Sequence, residues 1–496
     1  MKTPRFSLGV LSLAYTLVLA CSGCNFAPRY MRPTVITPEA YHETGPVADP
    51  TGVAWQTAQP SDAASRGRWW EIFGDAQLNS LEEQVQSSNQ TILAAAANFR
   101  AARDTVSVAR SGFFPTLSTA PSFARGRSSQ TLRTTSTGIN GSSISSGTVN
   151  DYALPFDLNY EVDLWGRVRN NVSAVTADAQ ASAADLATAL LSVQAELAQD
   201  YFQLHALDAE RQILDESVAS YRQSLDETRS LFRAGIDSDE DVARAETQLN
   251  TTVAQASDLD VARAAYEHAI AVLSGQPPAK FSLPVASLVA RPPAVPVSIP
   301  SNLLERRPDI AAAERRVASA NAQIGVARAA YFPRLTLGVA GGWESSQASH
   351  WFDWPSRFWS LGPQLAVTLF DGGARRAQTD QTRAFFDQAT ANYRQTVLSA
   401  FQSVEDNLAA LRILDEEVRQ QQMAVDSARH LLDLANTRFK IGIDSYLNVI
   451  TAQTALLSNR ETAVQIQLRQ MTASIALLKA LGGGWTTAQL FAKNAN

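Results

Sequence analysis

"LFRAGIDSDEDVARAE" (Leu231–Glu246) and "TRFKIGIDSYLNVITAQ" (Thr437–Gln453) share a Gly-Ile-Asp-Ser core that follows an aromatic and a basic residue, and Gly235 and Gly442 lie 207 positions apart. Glycine accepts the left-handed backbone found just past a helix C-terminus, so each stretch reads as the stop of one helix and the return of another. Ser238 and Ser445 follow as N-cap residues, and Asp241, three after Ser238, completes a capping-box pattern. Gly166 in "VDLWGRVR" and Gly373 in "TLFDGGARR" keep the same spacing of 207. The chain is therefore written twice. "VSVARSGFFPTLS" (Val106–Ser118) matches "IGVARAAYFPRLT" (Ile324–Thr336) at an offset of 218, and the difference falls in the Ser/Thr/Gly-rich segment 126–150, which is longer than its counterpart 342–357.

Each half reads helix, strand, loop, strand, long helix, turn, helix. Apolar residues recur at spacings of three and four, as in Leu186, Leu190, Val193, Leu197, Tyr201 and Leu204. Arg167 to Phe232 contains no proline, and one unbroken helix there spans roughly 100 Å at about 1.5 Å per residue. Such a length outreaches a globular core. In Ala153 to Leu164 the even positions are Leu154, Phe156, Leu158, Tyr160, Val162 and Leu164, against Asp157, Asn159, Glu161 and Asp163. Trp359 to Leu369 alternates likewise, with Leu361, Leu365, Val367 and Leu369 against Ser360, Gln364 and Thr368. Periodicity alone also fits a half-buried soluble sheet. The aromatics near the strand ends (Phe113, Phe114, Tyr331, Phe332, Trp165, Trp351, Trp354 and Trp359) favour a transmembrane barrel with a lumen lined by Asp157, Asn159, Glu161, Asp163, Gln364 and Thr368. Four strands per chain cannot close a membrane barrel, and an open edge is not tolerated in lipid, so several chains must share one barrel.

The formal charge of −6 and pI near 5.5, without a Lys/Arg cluster, argue against nucleic acid as a partner. Residues 1–23 read as an export signal: Lys2 and Arg5, an apolar run from Phe6 to Ala20, then small residues. Both cysteines, Cys21 and Cys24, sit at its end. Cleavage before Cys24 leaves one thiol at the first position of the mature chain, so that no internal disulfide forms.

"SGCNFAPRY" resembles a bacterial lipoprotein box, with Cys24 as the lipidated residue and Cys21, after Leu19 and Ala20, as the alternative. Asn25 after the cysteine implies, by the same resemblance, transfer to the outer membrane. Together, "GCNFAPRYMRP", "RWWEIFGDAQLNSL", "YEVDLWGRVR", "LLERRPDIAAAERRVASANAQIGVARAAYFPRL", "LFDGGARR" and "KALGGGW" make nearly the whole mature chain similar to the outer-membrane factor family of tripartite efflux pumps, the NodT-type, OprM-like and TolC-like channels. The resemblance implies an α+β membrane protein: a homotrimer with a twelve-stranded β-barrel in the outer membrane, continued by a long α-helical barrel through the periplasm. The organisation expected is a signal peptide (1–23), a lipid-anchored extension (24–68), a first repeat (69–275), a Pro-rich connector (276–300), a second repeat (301–484) and a tail (485–496).

The same resemblance makes the two turns the periplasmic tips, where a membrane-fusion adaptor docks. The docking candidates are Arg233, Gly235, Ile236, Ser238 and Asp241, with Lys440, Gly442, Ile443 and Ser445. OprM-like relatives carry charged side chains one and two turns further on, where this chain has Thr451 and Thr454, while Leu447 keeps an apolar ring position. The 207 offset carries this stretch to Glu240 and Arg244, so a charged gate is expected from Asp239, Glu240, Asp241 and Arg244. Asp and Glu are equally favoured in a first helical turn by the dipole alone.

"RRPDI" reads as a helix start with a positioning role for Arg306, Arg307 and Asp309. The five histidines (His42, His205, His268, His350 and His430) are scattered, and neither a phosphate loop nor a nucleophile elbow is present, so the chain is not read as an enzyme and no cofactor is expected beyond lipid on Cys24. With no nucleotide-binding motif, energy must come from a partner, which the resemblance implies is an inner-membrane transporter of the RND type. The expected function is a passive outer-membrane duct for small molecules such as drugs, toxic compounds or metabolites. The alternatives are a duct for polypeptide secretion (type I) and a non-conducting lipoprotein scaffold.

Overall fold

The computed structural model describes residues 25–38, 41–44, 68–127, 148–288, 292–293 and 306–484. The signal segment, both cysteines and the tail 485–496 lie outside the described residues. The helices are α1 (Ala76–Ser88), α2 (Gln90–Ser111), α3 (Arg167–Arg233), α4 (Asp239–Leu273), α5 (Pro308–Ala329), α6 (Ala374–Lys440) and α7 (Tyr446–Ala480). The strands are β1 (Thr116–Thr119), β2 (Ser122–Arg127), β3 (Thr148–Val162), β4 (Arg334–Ser345) and β5 (Arg357–Ala366). α3 and α6 each run 67 residues and α4 and α7 each 35, with both pairs starting 207 positions apart.

The chain divides into two compact units, and each draws on both sequence halves. One comprises Met1–Pro33, Ala101–Ala179 and Arg315–Ala391, the other Thr34–Arg100, Gln180–Glu314 and Asn392–Asn496. The sequential halves are therefore not the spatial units. Strands of both halves pair in one sheet, and helices of both halves share one core.

The first unit holds an antiparallel sheet in which β1 and β2, separated by a break at Ala120 and Pro121, both pair with β3, β3 pairs with β4, and β4 with β5. β1 and β2 thus occupy one sheet position. The strand ends correct the sequence expectation. β3 starts at Thr148 and stops at Val162, β4 continues through Ser345, and β5 spans Arg357–Ala366 rather than Trp359 to Leu369. The cause lies in β4: its ladder begins at Arg334, opposite Ala366, because the preceding Pro333 has no N–H to donate. Asp163 and Thr368, both expected in the lumen, consequently fall outside the ladder. Asp163 starts a helix instead, accepting from the backbone N–H of Val168 (3.0 Å) and Arg169 (2.9 Å) at the beginning of α3.

In the second unit the N-terminal helices dock on the long ones through an apolar core. Trp70, Leu78 and Val85 pack with Leu197, Tyr201, Phe202, Ile270, Met471 and Ile475. Asp75 caps α1, accepting from Gln77 N (2.8 Å) and Leu78 N (3.0 Å), and its other oxygen takes the Tyr201 hydroxyl proton at 2.8 Å. Of the periodic set in α3, Val193, Leu197, Tyr201 and Leu204 are buried, while Leu186 and Leu190 are half-buried.

The described part of the connector holds one short 3-10 helix, Pro278–Lys280, flanked by extended Pro277 and Phe281, and no other regular element. Arg263 bridges Asp208 (2.7 Å) and the Leu283 carbonyl (3.0 Å), and the Ala286 N–H donates to Asp208 at 3.0 Å. His205, buried in α3, meets the Ala286 carbonyl through Nδ1 at 2.6 Å. Arg307 pairs with Asp309 (2.7 Å) and donates to the Ala480 carbonyl at 3.0 Å, capping the C-terminus of α7. That contact gives the "RRPDI" segment its structural task.

Candidate functional site

Both turns close in the same way. The Gly235 and Gly442 N–H groups donate to the carbonyls of Phe232 and Phe439 (both 2.9 Å), and those of Ile236 and Ile443 reach back to Leu231 (3.0 Å) and Arg438 (2.9 Å). This is the Schellman pattern, and it sets φ at +75° for Gly235 and +72° for Gly442. Ser238 then caps α4 in a full capping box with Asp241. Ser445 occupies the equivalent N-cap of α7, but its side chain makes no capping hydrogen bond. The isoleucines after each glycine face solvent, Ile236 at 70% and Ile443 at 61% exposure. Arg233 and Lys440 are exposed beside them.

One apolar cluster joins the helices behind the two turns: Val218, Tyr221 and Leu225 of α3, Ala245 and Leu249 of α4, Ala435 of α6, and Tyr446, Val449 and Ala452 of α7. The turns are thus neighbours on a single helical end. Leu447, Thr451 and Thr454 form an exposed stripe on α7. On α4 the expected gate charges are largely engaged locally, since Glu240 pairs with Arg244 one turn on and Asp241 is held in the capping box. Asp239 remains in the exposed first turn.

Sequence reasoning missed an ion pair at the second turn. Arg438 meets Asp444 at 2.6 Å and Asn448 donates to the same carboxylate at 2.9 Å, which holds Asp444 below the usual carboxylate range. The six-residue spacing across Gly442 is the available signal. In the first half Leu231 stands where Arg438 would be, and the pattern is broken. There Asp237 Oδ2 is buried with no partner among the described residues, and burial, aided by the Asp241 charge, raises its pKa.

The sheet has two chemically distinct faces. Across one run Leu117, Leu158, Val339 and Leu361 in one row, and Phe156, Gly341 and Trp359 in another. Across the other run Thr116, Asn159, Gly338 and Gly362, then Ser118, Asp157, Ala340 and Ser360, then Glu161, Thr336 and Gln364. Asp157, Asn159, Glu161 and Gln364 therefore share one face, as expected, and Glu161 also pairs with Arg167 at 2.7 Å. Leu361, Leu365 and Trp359 on the apolar face are all strongly exposed. Aromatic groups mark both sheet ends: Phe26, Phe332 and Trp165 stack at one, and Tyr152, Trp351, Phe352 and Trp343 cluster at the other. No helix among the described residues is long and apolar enough to cross a membrane.

A strand array with one exposed apolar face and one polar face, in a chain that also builds paired helical hairpins of this length, defines the class of envelope channel subunits. The Outer membrane efflux protein family matches residues 81–276 and 299–483, and the chain belongs to it. It is 32% identical to the toluene efflux pump outer membrane protein TtgC of Pseudomonas putida over 481 residues, covering 96% of each chain. It is also 32% identical to the pyoverdine export outer membrane protein OpmQ of Pseudomonas aeruginosa, covering 88% of this chain and 92% of that one. The solved structure of the outer-membrane channel OprN superposes with a TM-score of 0.83 at 29% identity, covering 93% of this chain and all of the other.

Proposed function

We propose that the protein is the outer-membrane channel of a tripartite efflux pump, a homotrimer in which the two repeats of each chain together supply four strand positions to a shared barrel of about twelve strands. The observation that carries this reading is the two-faced sheet: its exposed apolar rows need lipid, and its polar rows need water. A single chain leaves the sheet edges open, which lipid does not permit.

Three copies turn the polar faces inward, where Asp157, Asn159, Glu161 and Gln364 line a water-filled path. The helices of the three chains continue it as a periplasmic barrel. The tips at Gly235 and Gly442 receive the helical hairpins of a membrane-fusion adaptor, with Ile236 and Ile443 packing against it and the glycines permitting close backbone approach. Beyond the adaptor stands an inner-membrane transporter of the RND type, which supplies the energy. Toluene and pyoverdine in the relatives' names support small organic molecules as cargo. Lipid on Cys24 anchors the N-terminus to the outer membrane.

The test is export by cells in which this chain is the sole outer-membrane channel. Loss of the chain should raise intracellular retention of a pump substrate, and its return should restore energy-dependent export. Unchanged retention together with altered envelope integrity would identify a scaffold instead.

A further inference from the structure

Within the sheet-bearing unit a cavity of about 510 Å³ opens where α5 ends and α6 begins. Three guanidiniums line it, those of Arg328, Arg376 and Arg383, with Asp380 as the single carboxylate. Arg376, Asp380 and Arg383 lie on one face of α6, at spacings of four and three. Asp380 is shared, 3.1 Å from Arg383 and 3.9 Å from Arg376, whose side chain is 87% exposed. Arg328 donates to the Phe26 carbonyl at 3.3 Å, and among the described residues no carboxylate pairs with it. The cavity thus carries a surplus of positive charge.

Two further features point to what fills it. Arg376 stands in the first turn of a 67-residue helix, where the dipole disfavours a cation and favours an anion. Its neighbour Arg375 is neutralised by Asp371, while among the described residues Arg376 has only the distant share of Asp380. The other wall is aromatic, lined by Phe26, Tyr331 and Phe332, with Phe26 stacked on Phe332 at 4.3 Å; Trp165 backs Phe332 at 4.9 Å. Phe26 is two residues from Cys24, so on the lipoprotein reading the lipidated position is close in sequence to this wall. A cationic pocket bordered by aromatic rings, at the sheet end from which the helices leave, matches the chemistry of an anionic lipid: rings at the depth of the interface, guanidiniums at the phosphate.

We infer that this cavity binds the phosphate headgroup of an anionic glycerophospholipid from the periplasm-facing leaflet, one per chain. The inference rests on the proposed membrane placement of the sheet. Arginine is the appropriate residue, because its planar fork meets phosphate oxygens bidentately where lysine presents a point charge.

The experiment is native mass spectrometry of the delipidated oligomer titrated with phosphatidylglycerol, with phosphatidylcholine as the zwitterionic comparison. The chain with Arg376→Gln and Arg383→Gln is measured alongside the unaltered one. The expected result is saturation at one phosphatidylglycerol per chain, weak uptake of phosphatidylcholine, and apparent affinity lowered at least about tenfold in the variant. Equal uptake by variant and parent, or equal uptake of both lipids, overturns the site. Displacement by inorganic phosphate at equal concentration shows a simple ion site and overturns the lipid. Conductance of the same samples in planar bilayers separates this inference from the channel reading: the variant should conduct as the parent does, and a parent that never conducts counts against the channel and not against the lipid.

Discussion

At the residue scale, the two copies of Gly-Ile-Asp-Ser do not carry equal burdens. Asp444 is paired with Arg438 and its pKa is lowered, so its contribution is present above the usual carboxylate value and lost as pH falls through the folded value. Asp237, whose pKa is raised, contributes in the opposite sense, since at neutral pH its charge opposes the fold. Asp444→Asn should therefore lower the thermal midpoint at pH 7, and Asp237→Asn should leave it unchanged or raise it. Matching losses in the two variants would refute the assignment. Glu82 is a stronger case: it is fully buried in α1, neither oxygen has a partner among the described residues, and burial raises its pKa from 4.5 to about 9. The fold holds the neutral acid, so this contribution is present below about pH 4.5 and is lost as pH rises toward 9. Glu82→Gln should stabilise the protein by on the order of 2 kcal/mol at pH 8 and by little at pH 5, as read from unfolding midpoints at the two pH values. Substituting Gly442 by alanine should cost about 1–2 kcal/mol at the tip, since its φ of +72° strains any residue with a Cβ. Faster hydrogen exchange confined to the ends of α6 and α7 is the readout.

At the element scale, the helices were more legible than the strands. The equal lengths of α3 and α6, and of α4 and α7, follow from turn residues repeated at one offset, and a proline-free, Ala-rich run has no reason to stop between them. Strand ends depend on a partner. β5 stops at Ala366 because β4 offers nothing beyond Arg334, and the apolar alternation through Leu369 could not reveal that. Asp163 looked like a lumen residue for the same reason: alternation continues past the ladder, but its carboxylate is committed to α3. Of the tip candidates, Gly235, Gly442 and Ser238 were readable from local chemistry alone. The Arg438–Asp444 pair was not, because only one half carries the arginine. The exposure of Ile236 and Ile443 leads to a direct expectation. Ile236→Asp combined with Ile443→Asp should abolish export while the oligomer stays folded and membrane-inserted, measured as substrate retention beside native electrophoresis. Full export by the double variant would remove these isoleucines from the docking surface.

At the scale of the whole molecule, the sheet and the helical hairpins answer to different solvents. The sheet's apolar rows are exposed in one chain, and its opposite face carries Asp157, Asn159 and Glu161; on the proposed channel reading the first face meets lipid and the second meets water. On the proposed reading the barrel needs strands from several chains, and the functional unit is the assembly. Membership of the efflux family agrees with this division of labour. The sequence holds two cysteines, Cys21 and Cys24, and none between residues 116 and 366, which leaves the strands free for single thiols as reporters. The most direct measurement is single-channel conductance of the purified oligomer carrying Asp157→Cys or Leu158→Cys, before and after a charged, membrane-impermeant thiol reagent. The account predicts open channels from a trimer, a stepwise fall in current when the thiol is at 157, and an unchanged current when it is at 158. Equal block at both positions, or a folded trimer whose current responds to neither, would contradict the claim that the polar face of this sheet lines the pore.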